Sequence, residues 1–462
     1  MKKGILQVMV ANIICMLISI LTNFMLPRYL SIETYNIIKS YTLYLSYAGL
    51  FAFGYTDGIY LKYGGLRIDR SNQKSVRQEF YTYFIFQLFM ASLIFVGAIV
   101  TKSELLTVFA IGVLITNLGG YLKILYQATG EFGEYGKALN LEKIIVFLVN
   151  VFLIFVLKTD KSIFYLLAQV LGPVITFVYL FYTYRYFCPN VSTCRFSIYA
   201  LTQNISVGFV LTIGSIVDIL FTGLDRWFIK ILMGTKEFAL YSFAVSLENI
   251  ISTFTSPMSI TLYNFFCQGI KKEKIRKIKR MLLLFGFCLL AAVFPAKWIV
   301  KHYIEKYVES IEVILYLFIA QFFYMIIRSV YVNVYKAQKK QKEYLKQIIV
   351  MLTIAFLTNI IFFVIMRKME AFAIATCLTS VIWFVWCEII HNEIRYNIKE
   401  YVCITIVLVS CFVCGSSFSA ITGLLIYVLI TGVTSTILLH SAVADCFIYI
   451  EKVIKKIFVK YF

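Results

Sequence analysis

The chain has 462 residues, of which 61% are hydrophobic and 15% are charged, and its mean hydropathy is +0.83. Soluble domains carry about 25% charged residues, so the composition excludes a soluble protein and indicates an all-α polytopic membrane protein. The net charge of +20 requires no nucleic-acid partner, because basic loop residues are stabilised by anionic membrane lipids.

Apolar windows of about twenty residues predict fourteen transmembrane helices. Their approximate bounds are 5–27, 35–55, 80–101, 104–126, 142–158, 162–184, 204–224, 238–266, 281–300, 312–335, 347–366, 370–390, 401–417 and 421–441. The first two spans form a predicted hairpin around a polar link at 29–34, and Asp57-Gly58 predicts a tight turn after the second. Residues 56–79 are then the longest extramembrane segment.

Lys and Arg are concentrated in the segments on the side of the N-terminus, including the basic loop at 271–280. By the positive-inside rule, both termini are predicted to be cytoplasmic. The tail at 442–462 has an apolar face and several Lys residues elsewhere, which predicts an amphipathic helix on the inner membrane interface.

Two segments share the pattern Tyr-x-Ala-x5-Glu-Tyr-x-Lys, one at 126–137 and one at 335–346. They follow the fourth and tenth spans, which predicts a duplication of six spans with the same orientation. The predicted domains are an N-lobe at 1–200, a C-lobe at 201–396, two added spans at 397–441 and the tail. Such parallel repeats are typical of transporters with rocking halves, although a six-helix unit is also simply a stable bundle.

Ionised groups inside spans cost about 2.5–3.5 kcal/mol each at mid-membrane, so the few present are candidate functional residues. The basic set is Arg28, Lys39, Lys123, Arg226 and Arg328, and the acidic set is Asp57, Asp218, Asp225, Glu248 and Glu388.

Four of the basic residues are candidate contacts for an anionic substrate: Arg28, Lys39, Arg226 and Arg328. Arg328 either faces a polar cavity or pairs with an internal carboxylate. Lys39 lies near a span end and could snorkel to the interface. Arg28 and Arg226 occupy equivalent span ends in the two predicted repeats, where they are either interfacial anchors or opposing contacts in one central cavity. Lys123 is interpreted as a basic residue that sets the orientation of its span in the membrane.

Asp218 and Glu248 are the candidate coupling residues. Each either takes up a proton during transport, because burial favours the protonated carboxyl, or acts as a counter-ion to Arg226 or Arg328. The second role is favoured.

Enzyme chemistry has no signature in this sequence. No Walker sequence is present, and the residues His302, His391 and His440 are far apart. Most of the 11 Cys lie inside apolar runs, as small buried hydrophobes do. We therefore expect a protein that is not an enzyme, with no metal and no cofactor.

The opening hairpin contains Leu26-Pro27-Arg28-Tyr29-Leu30-Ser31 and a second segment that runs from Tyr47-Ala48-Gly49-Leu50 through Asp57-Gly58 to Gly65. It resembles the polysaccharide biosynthesis flippases, the Wzx-type O-antigen and capsule-unit exporters of the MATE-like multidrug/oligosaccharidyl-lipid/polysaccharide superfamily. Leu224-Asp225-Arg226-Trp227-Phe228-Ile229 resembles the second-half hairpin of that superfamily.

The resemblance implies a flippase in the bacterial plasma membrane that moves undecaprenyl-pyrophosphate-linked oligosaccharides from the inner to the outer leaflet. It also implies a cationic cavity, here Arg28, Lys39, Arg226 and Arg328, and partners that include membrane lipids, a polysaccharide polymerase and a chain-length regulator. The alternatives are a cation or drug antiporter of the same fold, and a membrane polysaccharide polymerase or glycosyltransferase.

Overall fold

The computed structural model describes residues 2–66, 68, 72–187, 195–267 and 272–446, which are nearly all helical. Helices of the first half are α1 (Lys2–Tyr29), α2 (Ile32–Leu45), α3 (Tyr55–Tyr63), α4 (Gln73–Thr101), α5 (Glu104–Ala128), α6 (Phe132–Phe155), α7 (Ser162–Phe187) and α8 (Ile198–Leu232). Helices of the second half are α9 (Thr235–Phe266), α10 (Lys272–Leu290), α11 (Val293–Tyr303), α12 (Ile311–Ile326), α13 (Val332–Ala337), α14 (Gln341–Met366), α15 (Glu370–Ile390), α16 (Ile398–Ser417) and α17 (Ala420–Leu438).

Ten helical segments of the described residues are long and apolar enough to cross a membrane. The two parts of α8, Ile198–Phe209 and Leu211–Leu232, are bent by 58° and make an eleventh if they form one span. The chain is therefore a multi-pass membrane protein. The count of fourteen and the cytoplasmic termini stay predictions, and most of the predicted tail, from residue 447 onward, lies outside the described residues.

Helix ends follow local sequence signals. Ser31 caps α2, because its hydroxyl accepts a hydrogen bond from the Thr34 N–H at 3.2 Å, and Ser103 caps α5 in the same way. Asn397 and Glu400 form a reciprocal capping box at the start of α16. These side chains satisfy main-chain N–H groups that have no partner within the helix.

The predicted second span, 35–55, is wrong as a single helix. The chain forms α2, a 3-10 turn at Ala48–Ala52 and then α3. Phe53 and Gly54 between them adopt left-handed conformations, with φ of 48° and 85°. The predicted turn at Asp57-Gly58 is also wrong, since both residues lie within α3, where Asp57 accepts a hydrogen bond from the Thr212 hydroxyl at 2.8 Å.

The helix α3 packs unusually closely on α8 at two glycines, Gly54 at its N-cap and Gly58 within it. Gly54 and Gly58 are four residues apart and face Asn204 and Gly208 of α8. A Cβ on Gly208 would lie 1.9 Å from the main-chain oxygen of Gly54, and one on Gly58 would lie 2.2 Å from that of Asn204. Small residues at this spacing let two membrane helices touch through their backbones.

The structure has two compact units, Met1–Gly223 and Leu224–Phe462. This boundary lies within α8 and differs from the predicted one at 200/201, because residues such as Asn204 and Gly208 pack on α3. Packing units and sequence repeats are different divisions of a chain, and the repeat boundary stays a prediction.

An aromatic core stabilises the first unit. Tyr55, Tyr83 and Tyr121 stack with ring centroids 4.9 and 5.3 Å apart. Beside them, the buried carboxylate of Glu79 accepts hydrogen bonds from Lys62 at 2.5 Å and from the Tyr63 hydroxyl at 2.7 Å. Offset aromatic pairs contribute about 0.5–1.5 kcal/mol beyond their area, so α3 is fixed against α4 and α5.

In the second unit, α12 is the central helix and packs against α9, α10 and α15. From Val313 to Tyr335 every residue is buried apart from Tyr316 and Arg328. A helix that is apolar on all sides must be surrounded by other helices, and Arg328 is the charged residue of this buried stretch.

The close approach of α3 and α8 predicts a clear difference between two glycines of α8. Gly208→Ala should destabilise the protein by about 1–3 kcal/mol, because the added methyl overpacks the contact. Gly214→Ala is the matched control, since a Cβ there meets nothing within 4 Å. Thermal unfolding of the purified variants tests this, and equal melting temperatures would show that the helices are not held together here.

Candidate functional site: a charge cluster around Arg328

Arg328 lies in a π-turn. The chain passes from α12 through the turn Ile327–Tyr331 into α13, and the N–H of Val332 bonds to the carbonyl of Ile327, five residues earlier. A π-turn adds one residue to a helical turn and often occurs at a functional position. The Arg328 side chain is half-buried.

Two side chains outside the π-turn, Ser259 of α9 and Asn333 of α13, donate hydrogen bonds to two of its main-chain carbonyls. The Ser259 hydroxyl of α9 donates to the Arg328 carbonyl at 3.1 Å. The Asn333 amide donates to the Ser329 carbonyl at 3.0 Å and to the Ser259 carbonyl at 2.8 Å. Carbonyls displaced from regular helical bonding need such partners in an apolar environment, so this polar pair allows the bulge to form.

Glu248 on α9 is the acidic member of the cluster predicted from sequence. It is half-buried, although the seven residues before it, Tyr241–Leu247, are buried. Its carboxyl interacts electrostatically with Asp225, Arg328 and Arg226. The second unit therefore brings together Arg226, Glu248 and Arg328, three of the predicted site residues.

Asp225 belongs to the same cluster, whereas the sequence analysis predicts Asp218 and Glu248 as the coupling residues. Its side chain is 8% exposed and accepts hydrogen bonds from the Arg226 N–H at 2.7 Å and the Tyr241 hydroxyl at 2.6 Å. The sequence feature that could identify Asp225 is its position next to Arg226 at the end of a predicted span. Two guanidinium and two carboxylate groups thus share one region of the second unit.

The other predicted residues belong to the first unit. Arg28 is exposed, with its guanidinium carbon 5.6 Å from the Tyr29 ring centre. Lys39 is half-buried, with its Nζ 5.1 Å from the Tyr35 ring centre. Asp218 is also half-buried, on α8. Their roles, and the shared cavity of Arg28 and Arg226, stay predictions.

Two of the remaining charges form ion pairs within their own units. Lys123 of α5 pairs with Glu142 of α6, and Glu388 of α15 pairs with Lys279 of α10 at 2.5 Å. Among the described residues there is no group of three His, Cys, Asp or Glu side chains able to hold a metal ion.

The cluster combines two chemical abilities. A guanidinium can donate two parallel hydrogen bonds to a phosphate, and such charge-assisted bonds are about twice as strong as neutral ones. The carboxylates offset the cost of keeping the arginines among apolar helices when no anion is present. The arrangement therefore suits reversible binding of an anionic group.

The fold is similar to that of solved membrane transporters. The lipid II flippase MurJ, in an inward closed conformation, matches with a TM-score of 0.59 at 14% identity, over 96% of this chain and 100% of that one. A multidrug resistance MATE family transporter of the MOP superfamily matches in its inward-facing conformation with a TM-score of 0.53 at 13% identity, over 82% of this chain and 95% of that one. The outward-facing conformation of such a transporter matches with a TM-score of 0.52 at 13% identity, over 85% of this chain and 96% of that one.

The amino-acid sequence shows the family to which this protein belongs. The family model described as polysaccharide biosynthesis protein matches residues 1–269, more than half of the chain, and the protein belongs to this family. No curated protein sequence matches the chain. The resemblance stated from the opening hairpin is confirmed.

The counter-ion role of Glu248 predicts a specific pattern of stability. Glu248→Gln should lower the free energy of unfolding by about 1–3 kcal/mol, because Arg328 and Arg226 lose a neutralising charge in a partly buried region. The double variant Glu248→Gln/Arg328→Met should recover most of this loss. Thermal unfolding measures both, with the exposed Glu312→Gln as control. An unchanged or more stable Glu248→Gln protein would favour the proton-accepting role instead.

Proposed function

We propose that the protein is a flippase for undecaprenyl-pyrophosphate-linked oligosaccharide repeat units of an O-antigen or capsular polysaccharide. It moves them from the inner to the outer leaflet of the bacterial plasma membrane by alternating access. Membership of the polysaccharide biosynthesis family and the fold shared with a lipid II flippase support this class.

The observation that carries the proposal is the position of Arg328. A half-buried arginine on a π-turn, in a stretch where every other residue except Tyr316 is buried, has a large desolvation cost, and the pyrophosphate of a lipid carrier offers the matching charge. Arg226 is the second contact in this unit, and Arg28 and Lys39 are the proposed contacts of the first unit. The lipid tail stays in the bilayer while the charged head crosses.

A cation or drug antiporter is the second candidate, and one observation favours it. Asp225 and Glu248 place two carboxylates close enough to interact in the second unit, where they could bind a cation. Arg226 and Arg328 interact with the same carboxyl and would oppose a cation there, so the flippase is preferred. A polymerase or glycosyltransferase is disfavoured, because the structural neighbours are transporters and a flippase.

Deletion of the gene tests the function. In a strain without it, lipid-linked oligosaccharide should accumulate on the cytoplasmic leaflet and surface polysaccharide should be lost. Arg328→Ala should restore export at least about tenfold less well than the wild-type gene, since bonds to charged groups contribute about 1.5–3 kcal/mol. Arg328→Lys should restore it partly, because Lys keeps the charge and loses the planar fork.

Arg276→Ala is the matched control, an exposed arginine of the second unit on α10. Immunoblots should show normal amounts of every variant. Unchanged surface polysaccharide and no accumulation in the deletion strain would reject the flippase. If the Arg328→Ala protein itself is lost, the role of Arg328 is to stabilise the fold.

A further inference from the structure

A second group of charges is buried beside the π-turn. Lys279 of α10 and Glu388 of α15 are 0% and 2% exposed at their side chains, and Lys279 Nζ lies 2.5 Å from Glu388 Oε1. A buried ion pair is costly unless its geometry is good and its remaining atoms are hydrogen-bonded.

Glu388 is fully satisfied by four donors. Oε1 accepts hydrogen bonds from Lys279 and from the Tyr331 hydroxyl. Oε2 accepts one from the Tyr401 hydroxyl at 2.8 Å and one from the Tyr396 N–H at 2.9 Å. The carboxylate thus ties together α10, α15, α16 and the π-turn.

Lys279 has further partners of its own. Its ammonium group also donates to the carbonyl of Ile394 at 2.8 Å, and it lies 3.7 Å from the ring centre of Tyr396. The Tyr396 hydroxyl donates back to the Lys279 carbonyl at 3.0 Å. Fully connected buried networks of this kind hold one arrangement of the surrounding helices.

Tyr331 connects this network to Arg328. It is the last residue of the π-turn in which Arg328 is the second. Converting a π-turn to a regular α-helical turn changes the register by one residue, which rotates the two flanking helical parts relative to each other by about 100°. Fixing the Tyr331 hydroxyl on Glu388 opposes that rotation from the side of α15, while Ser259 opposes it from the side of α9.

We propose that Tyr331, Glu388 and Lys279 are positioning residues that hold the π-turn and thereby set the direction of Arg328. This rests on the proposed role of Arg328 as the contact for a pyrophosphate. None of the three residues needs to touch the substrate. They act by keeping the guanidinium aligned before the anion arrives, which reduces the ordering cost of binding.

Hydrogen–deuterium exchange of the purified protein in lipid nanodiscs tests the structural part without any substrate. Tyr331→Phe and Glu388→Gln should raise the exchange rate of amides in residues 327–333 by about tenfold or more, since a hydrogen bond to a charged group is lost. Tyr427→Phe is the matched control, because its buried hydroxyl donates to the Phe287 carbonyl at 2.8 Å and does not contact the π-turn. Equal exchange in Tyr331→Phe and the wild type would overturn the proposal.

Export in the deletion strain tests the functional part. Tyr331→Phe should reduce export about tenfold at normal protein amounts, and it should add nothing further in an Arg328→Ala background, because both changes act through the same guanidinium. Additive losses would mean that Tyr331 does not act through Arg328 and would overturn the proposal. If the flippase function itself fails, no variant affects export, and the exchange measurement still decides whether the π-turn is held.

Discussion

The cost of placing ionised groups among apolar helices is the constraint on which the second unit depends. The buried Lys279 meets Glu388, Asp225 meets the N–H of Arg226 and the hydroxyl of Tyr241, and Lys297 donates to the carbonyls of Gly415 and Phe418. Each of these partners reduces a desolvation penalty of several kcal/mol. Arg226, Glu248 and Arg328 differ because they are half-buried, and the two arginines are the contacts that we propose for an anionic substrate in this unit.

The π-turn is the backbone that carries Arg328, and hydrogen bonds from neighbouring helices hold it. A regular helix through residues 327–331 would satisfy its own carbonyls, whereas the π-turn needs the donors Ser259 and Asn333. Ser259 belongs to α9 and the Asn333 amide bonds to it. On the other side, the Tyr331 hydroxyl donates to Glu388 of α15. The backbone on either side of Arg328 is therefore held from two sides, and the binding role that we propose for this residue requires such support.

The sequence predicted those features whose free-energy cost depends only on residues that are close together along the chain. Apolar runs located the helices, and a charge within a span singled out Arg328 and Glu248. It was less informative where the cost depends on tertiary contacts. Asp57-Gly58 is typical of a turn, but both residues lie in α3, where Gly58 packs on Asn204. Lys279 reads as part of a basic loop, but it is buried against Glu388. The π-turn has no sequence pattern, since two of the residues that hold it, Ser259 and Glu388, lie far from it along the chain.

Binding of the lipid carrier tests the central claim, that Arg328 recognises its phosphate, most directly. Native mass spectrometry of the protein in nanodiscs can compare a polyprenyl-pyrophosphate oligosaccharide with the same oligosaccharide on an uncharged polyprenyl ether. We expect the wild-type protein to bind the pyrophosphate form at least about tenfold more tightly, as charge-assisted hydrogen bonds imply, and Arg328→Ala to lose most of this preference while Arg276→Ala keeps it. An Arg328→Ala protein with the full wild-type preference would contradict the claim.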